Sequence, residues 1–224
     1  MAALKFMGLR PFKTELTKIN ANPLIQLQQT AVLRGIADEE GFRLPGAPWA
    51  FQLAELGHDG KPLVRTIGFQ RISEHGLDWL TLRKGDQGDS DVAISYVEGV
   101  YPPAAGETCE QWRAEGRTAE LSVRSVMNTA PIGSFAQILA VGRRNAGPGW
   151  PELKDREKLM EEVAQVKAEL EAGKIPLSDV EKYVRVVRMV PQRMELLVSG
   201  GIWERFQWFR EGATWGPQQR LSPY

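Results

Sequence analysis

Hydrophobic and polar positions divide the chain into stretches of different period. Asn22-Pro23 ahead of LIQLQQTAVLRGI supplies a cap and a first-turn proline, and Leu24, Leu27, Ala31 and Ile36 recur near helical spacing, predicting a helix over about 22–37. GFRLPGAP at 41–48 breaks that pattern, after which Trp49, Phe51 and Leu53 alternate with Ala50, Gln52 and Ala54. GHDG (57–60) reads as a hairpin turn, 61–72 as the return strand, SEHG (73–76) as a second turn and 77–83 as a third strand. DVAISYVEG (91–99) and CEQWRAEGRTAELS (109–122) are further strands. Segment 128–150 is mixed, a short apolar piece followed by a Gly/Pro-rich loop. Residues 151–173 carry Leu159, Val163, Val166 and Leu170 on one face between Pro151 and Gly173, predicting a helix; beyond it strand periodicity returns, with turns at Gly200-Gly201 and at 211–214. Helix, antiparallel meander, helix and further strands with short connections predict a mainly β (α+β) fold, a closed barrel with attached helices in one domain over 1–224.

Strand 109–122 is unusual. It sets Gln111, Arg113 and Glu115 on one face and Trp112, Ala114 and Gly116 on the other, so a row of polar groups lies directly behind a tryptophan.

Composition narrows the function. Lys+Arg and Asp+Glu both number 28, so no net field draws nucleic acid or an anionic membrane. One cysteine, Cys109, excludes an internal disulfide framework, and the N-terminus has no apolar run of signal-peptide length; cytoplasm is the expected setting. His58 and His75 lie in separate turn-like contexts, which leaves no metal-ligand spacing and no histidine-based nucleophile system. An enzyme of this composition takes its chemistry from a bound organic cofactor. In RTIGFQR, Arg65 and Arg71 fall on one face with Ile67 and Phe69 between them. Pairing through SEHG brings Thr81, Arg83 and Lys84 alongside, so that four cations converge on one rim suited to a phosphate, unless they are scattered surface charges.

The stretch FQLAELGHDGKPLVRTIGFQR, the EQWRAEG segment and a C-terminal series (Pro191, Arg193, Glu195, Gly200, Glu204-Arg205-Phe206, Arg210, Trp215, Arg220-Leu221-Ser222-Pro223) together resemble the pyridoxamine 5'-phosphate oxidase-like FMN-binding split-barrel family, in the same order over 22–223. The resemblance implies a split β-barrel that binds FMN at a homodimer interface, with a C-terminal dimerisation segment at about 181–224. It implies that the segment Arg65, Thr66, Ile67 through Gln70 lines the flavin; Gln70 stands where the family has Lys, and Arg71 follows it. Thr81 matches a cofactor-lining position, Arg83-Lys84 the phosphate-gripping pair, Gln111 the glutamine that reaches the flavin ring, and Arg205 an arginine near the ring. Arg113 and Glu115 are expected to pair at the dimer seam.

The substrate side departs from the family. Its Arg-x-His is Gly201 and Trp203 here, and its Tyr, Arg and Ser phosphate grips align with Ser122, Val126 and Ala130. The expectation is an FMN-dependent oxidoreductase acting on a non-phosphorylated, planar small molecule rather than on pyridoxamine phosphate. Trp203 and Trp112 are candidate substrate surfaces, Arg205 and Trp203 candidate catalytic groups; each tryptophan reads equally as barrel core or dimer interface. The alternative is a barrel that has lost FMN and serves as a flavin-independent enzyme or a small-ligand or haem-binding module.

Overall fold

The computed structural model describes residues 13–47, 50–56, 60–83, 90–98, 106–144, 153–200 and 203–222. Helix α1 (Pro23–Arg34) starts where the sequence caps it: the Asn22 side chain accepts from the backbone N–H of Leu24 at 3.0 Å and of Ile25 at 3.4 Å, and Gly35 closes the helix at φ 73°. Its apolar stripe, Leu24, Leu27 and Ala31, is buried on the barrel.

Strands β1 (Ala50–Leu56), β2 (Pro62–Ser73), β3 (Gly76–Leu82), β4 (Asp91–Glu98), β5 (Cys109–Leu121) and β6 (Val184–Ser199) form the barrel. All pairings are antiparallel, in the ring β1–β2–β3–β6–β5–β4 and back to β1. Every second residue points inward: Phe51 and Leu53, Ile67 and Phe69, Leu77 and Trp79, Ile94 and Tyr96, Trp112 and Ala114, Val187 and Met189 fill one core. Strand β7 (Glu204–Glu211) pairs with the second half of β6, and β8 (Thr214–Trp215) and β9 (Gln219–Leu221) pair with β7.

Two bulges set the shape. On β5, Glu115 faces Arg193 while the next residue, Gly116, faces Pro191, so Gln192 is extra on β6. The bulge accommodates a proline with no ladder N–H to give, and it bends β6 from the barrel toward β7. Gly116 is required there: a Cβ would lie 2.3 Å from the Val190 carbonyl oxygen. On β2, Phe69 faces Trp79 and Arg71 faces the adjacent Asp78, making Gln70 the extra residue.

A second core lies outside the barrel, under α2 (Arg124–Met127), α3 (Ile132–Arg143), α4 (Leu153–Glu171) and α5 (Leu177–Tyr183). The mixed segment at 128–150 is thus in large part a helix. Phe135, Ala136, Leu139 and Ala140 make its buried stripe, and Gly133 and Gly142 masked the period in the sequence. Gly142 permits close packing, because a Cβ there would meet Tyr183 Cβ at 2.8 Å. Helix α5 precedes the strand periodicity of β6. Among the described residues no helix is long and apolar enough to cross a membrane.

Candidate functional site

Alternation on β5 puts Trp112, Ala114 and Gly116 inside and Gln111, Arg113 and Glu115 outside. Register then carries the outer face across the sheet. One row runs Thr66, Gln52, Ser95, Arg113, Glu195, Gln207 over six strands; the adjacent row holds Gly68, Ala50, Gln111, Leu197 and Arg205. Thr66, Gln111 and Arg205, from three distant parts of the chain, therefore share one face. The Gln52 amide donates to Thr66 Oγ1 at 3.1 Å.

Glu195, buried in the middle of this face, is ringed by guanidinium groups. Arg205 donates to its Oε2 at 2.6 Å, and Arg113 and Arg193 each stand 3.6 Å from a carboxylate oxygen. The hydrogen bond from Arg205 to Glu195 and the neighbouring negative charge hold the Arg205 pKa above its ordinary value. Arg193 also reaches Glu115 at 3.0 Å. Within this chain Arg113 and Glu115 each pair across to β6, the opposite strand lying only about 5 Å away. Among the described residues the buried Nε atoms of Arg193 and Arg205 have no hydrogen-bond acceptor.

The rim at the hairpin end of the barrel holds part of the expected cationic group. Arg65 pairs with Glu55 at 3.1 Å. Arg83 donates to Glu120 and, through Nε, to the Glu181 carbonyl at 3.0 Å. Arg185, opposite Thr81 on the neighbouring strand, reaches the same Glu120 at 2.9 Å. Burial tends to raise the Glu120 pKa, but the hydrogen bonds from Arg83 and Arg185 outweigh it, and the net shift is downward. No local sequence signal marks Arg185; only the β3–β6 pairing brings it here. Lys84 lies outside the described residues.

Arg71 does not join this rim. The bulge at Gln70 removes it from the face shared by Arg65, Ile67 and Phe69, and its guanidinium sits 4.4 Å from the Phe42 ring centroid at the α1 end of β2. Gln70 is itself buried, and Ile67 faces the core.

Trp112, a candidate substrate surface, is instead a core residue, 2 % exposed. Its ring stacks with Trp208 at 6.3 Å, and its Nε1 donates to Glu110 at 2.7 Å, because β5 alternation turns position 112 inward. Trp203 precedes β7 and is half-buried. Val126 and Ala130 are buried among the helices, while Ser122 is exposed at the end of β5. His75 is in an exposed turn, 3.7 Å from Glu74, and His58 lies outside the described residues.

The sequence carried no signal for the role of Glu110. Fully buried at the start of β5, it accepts from Thr14 at 2.6 Å, Thr30 at 3.2 Å and Trp112, tying the N-terminal segment and α1 to the barrel.

No family model matches the sequence, and no curated protein does. Solved structures do. PhzG from Burkholderia lata, in complex with tetrahydrophenazine-1-carboxylic acid, aligns over 96% of this chain and 100% of its own at 19% identity and a TM-score of 0.59. A pyridoxamine 5'-phosphate oxidase-related, FMN-binding protein from Nostoc punctiforme aligns over 78% and 87% at 16% identity and 0.45. An FAD-binding protein from Mesorhizobium loti aligns over 68% and 88% at 15% identity and 0.32.

Proposed function

Taking the chain as a split barrel of the pyridoxamine 5'-phosphate oxidase-like type, we propose that it holds FMN on the outer sheet face and works as an oxidoreductase on a non-phosphorylated, planar small molecule. The observation that carries this reading is the convergence of Thr66, Gln111 and Arg205 on one face. A flavin ring edge is rich in acceptors, so amide, hydroxyl and guanidinium donors there fit the group. Gln111 and Arg205 of one copy would hold the ring, and Arg65, Thr81, Arg83 and Lys84 of a second copy, across a homodimer interface, the phosphate end. Bound there, FMN supplies hydride and electron acceptance; the protein's groups bind, orient and shield. The second copy of the homodimer would cover the Gln111 end of the face.

Two observations support a non-phosphorylated substrate. Val126 and Ala130, aligned with polar phosphate grips, are packed in the helical core and offer no donor. PhzG, a structural neighbour over 96% of this chain, is in complex with tetrahydrophenazine-1-carboxylic acid.

The test is the absorbance spectrum of purified protein, before and after addition of FMN. Flavin absorbance, with no turnover of pyridoxamine phosphate, supports the proposal. Colourless protein that takes up no FMN sinks it, as does robust pyridoxamine phosphate oxidation. One observation favours a flavin-free binding module instead: Arg65 and Arg83 already have carboxylate partners in Glu55 and Glu120.

A further inference from the structure

We propose that the outer sheet face carries a built site for a planar aromatic carboxylate, with the carboxylate seated among Arg113, Arg193 and Arg205 and the ring system lying over the row Ala54, Ala93 and Phe209. Two adjoining hollows carry this inference. One, of about 680 Å³, lies over a single register row, Ala54 on β1, Ala93 on β4, Glu115 on β5, Arg193 on β6 and Phe209 on β7. The other, of about 100 Å³, is lined by Arg113, Arg193, Arg205, Glu115 and Glu195. They share Glu115 and Arg193, so one ligand can occupy both.

The larger hollow has the size of a small-molecule site. Its base is flat because the residues there are alanines, and apolar side chains stand exposed beside it: Leu56 is 71 % and Phe209 42 % exposed. The Arg193 guanidinium lies 5.9 Å from the Phe209 ring, which ties the apolar hollow to the charged one. Acidic groups at the far end are already neutralised, Glu55 by Arg65 and Asp91 by Arg117 at 3.3 Å.

The smaller hollow selects the polar end of the ligand. Three guanidinium groups face two carboxylates, leaving one positive charge in excess. A monoanion restores the balance; a dianionic phosphate would leave excess negative charge beside Glu115 and Glu195. Arg can bind a carboxylate in forked geometry. The inference rests on the proposed function only in taking the bound molecule as substrate; binding itself needs no flavin.

Calorimetric titration of the full chain with 1-naphthoate and with its neutral counterpart 1-naphthamide tests this. Wild-type protein is expected to bind the naphthoate at least about tenfold tighter, a preference of roughly the size of one charge-assisted hydrogen bond. Arg193→Gln is expected to abolish the preference and Arg193→Lys to retain part of it, while Phe209→Ala weakens both ligands. Equal binding of the two by wild type overturns the site, and so does a preference that survives in folded Arg193→Gln. If Arg193→Gln does not fold, naphthoate binding untouched by Phe209→Ala overturns it equally. Flavin absorbance is read on the same samples. Colourless protein that still prefers naphthoate removes the flavin reading and leaves this site standing.

Discussion

Asp78 on β3 and Arg188 on β6 stand directly opposite each other, and the guanidinium grips the carboxylate through two nitrogens, at 2.6 and 2.7 Å. Asp78 is fully buried, and the hydrogen bond to it raises the Arg188 pKa. The pair spans the seam that closes the barrel. Asp78→Ala strands a partly buried cation and is expected to cost about 3–5 kcal/mol. The double change Asp78→Leu with Arg188→Met is expected to recover much of that loss. Urea denaturation of the variants gives both numbers.

Glu110 makes stability depend on pH. Burial pushes its pKa up; the hydrogen bonds from Thr14, Trp112 and Thr30 and the nearby Arg34 pull it back only in part. Its folded pKa is above the unfolded one, so the folded protein holds the proton more tightly. The contribution of this group to stability is present below the unfolded glutamate pKa of about 4.3 and declines as pH rises toward the folded value. The unfolding free energy of wild type relative to Glu110→Gln is therefore expected to fall as pH rises above about 4. A difference that stays flat contradicts this.

Gly116→Ala places a methyl against the backbone of the β6 bulge. A loss of about 1–3 kcal/mol is expected from the forced shift, read by thermal or urea unfolding. Gly133→Ala is the control, since its Cβ would meet nothing within 4 Å.

Flavin binding on the outer face predicts that Gln111→Ala and Arg205→Ala each weaken FMN affinity by about tenfold or more, the worth of one hydrogen bond with charged character. Quenching of FMN fluorescence on titration measures it. Trp112→Phe is expected to lower stability through the lost bond to Glu110 while leaving FMN affinity unchanged.

The barrel strands were legible because alternation at 50–56, 62–69 and 109–116 fixes which residues face inward. Helix α1 was legible from Asn22-Pro23. Helix α3 was not, because glycines at 133 and 142 dilute an apolar stripe that only packing on α4 makes intelligible. On the site, Gln111 and Arg205 were marked by a motif, and register supplied the reason they belong together. Arg71 was misplaced because one bulged residue inverts the face of everything beyond it. Arg185 and Glu110 lay beyond reach, as their partners Glu120, Thr14 and Thr30 lie 65, 96 and 80 positions away.

The place of β6 in the ring governs how the molecule assembles. The five strands that precede it form a curled sheet in the order β3–β2–β1–β4–β5, whose two ends stay unpaired until the chain has passed through the whole helical insertion. Both raw edges are then sealed by one strand, over contacts that bridge 110 residues at Asp78–Arg188. Closure is thus a late, slow event. A nascent chain halted before residue 184 presents two sticky strand borders to its neighbours, which makes the insertion α2–α5 the interval in which self-association competes with folding.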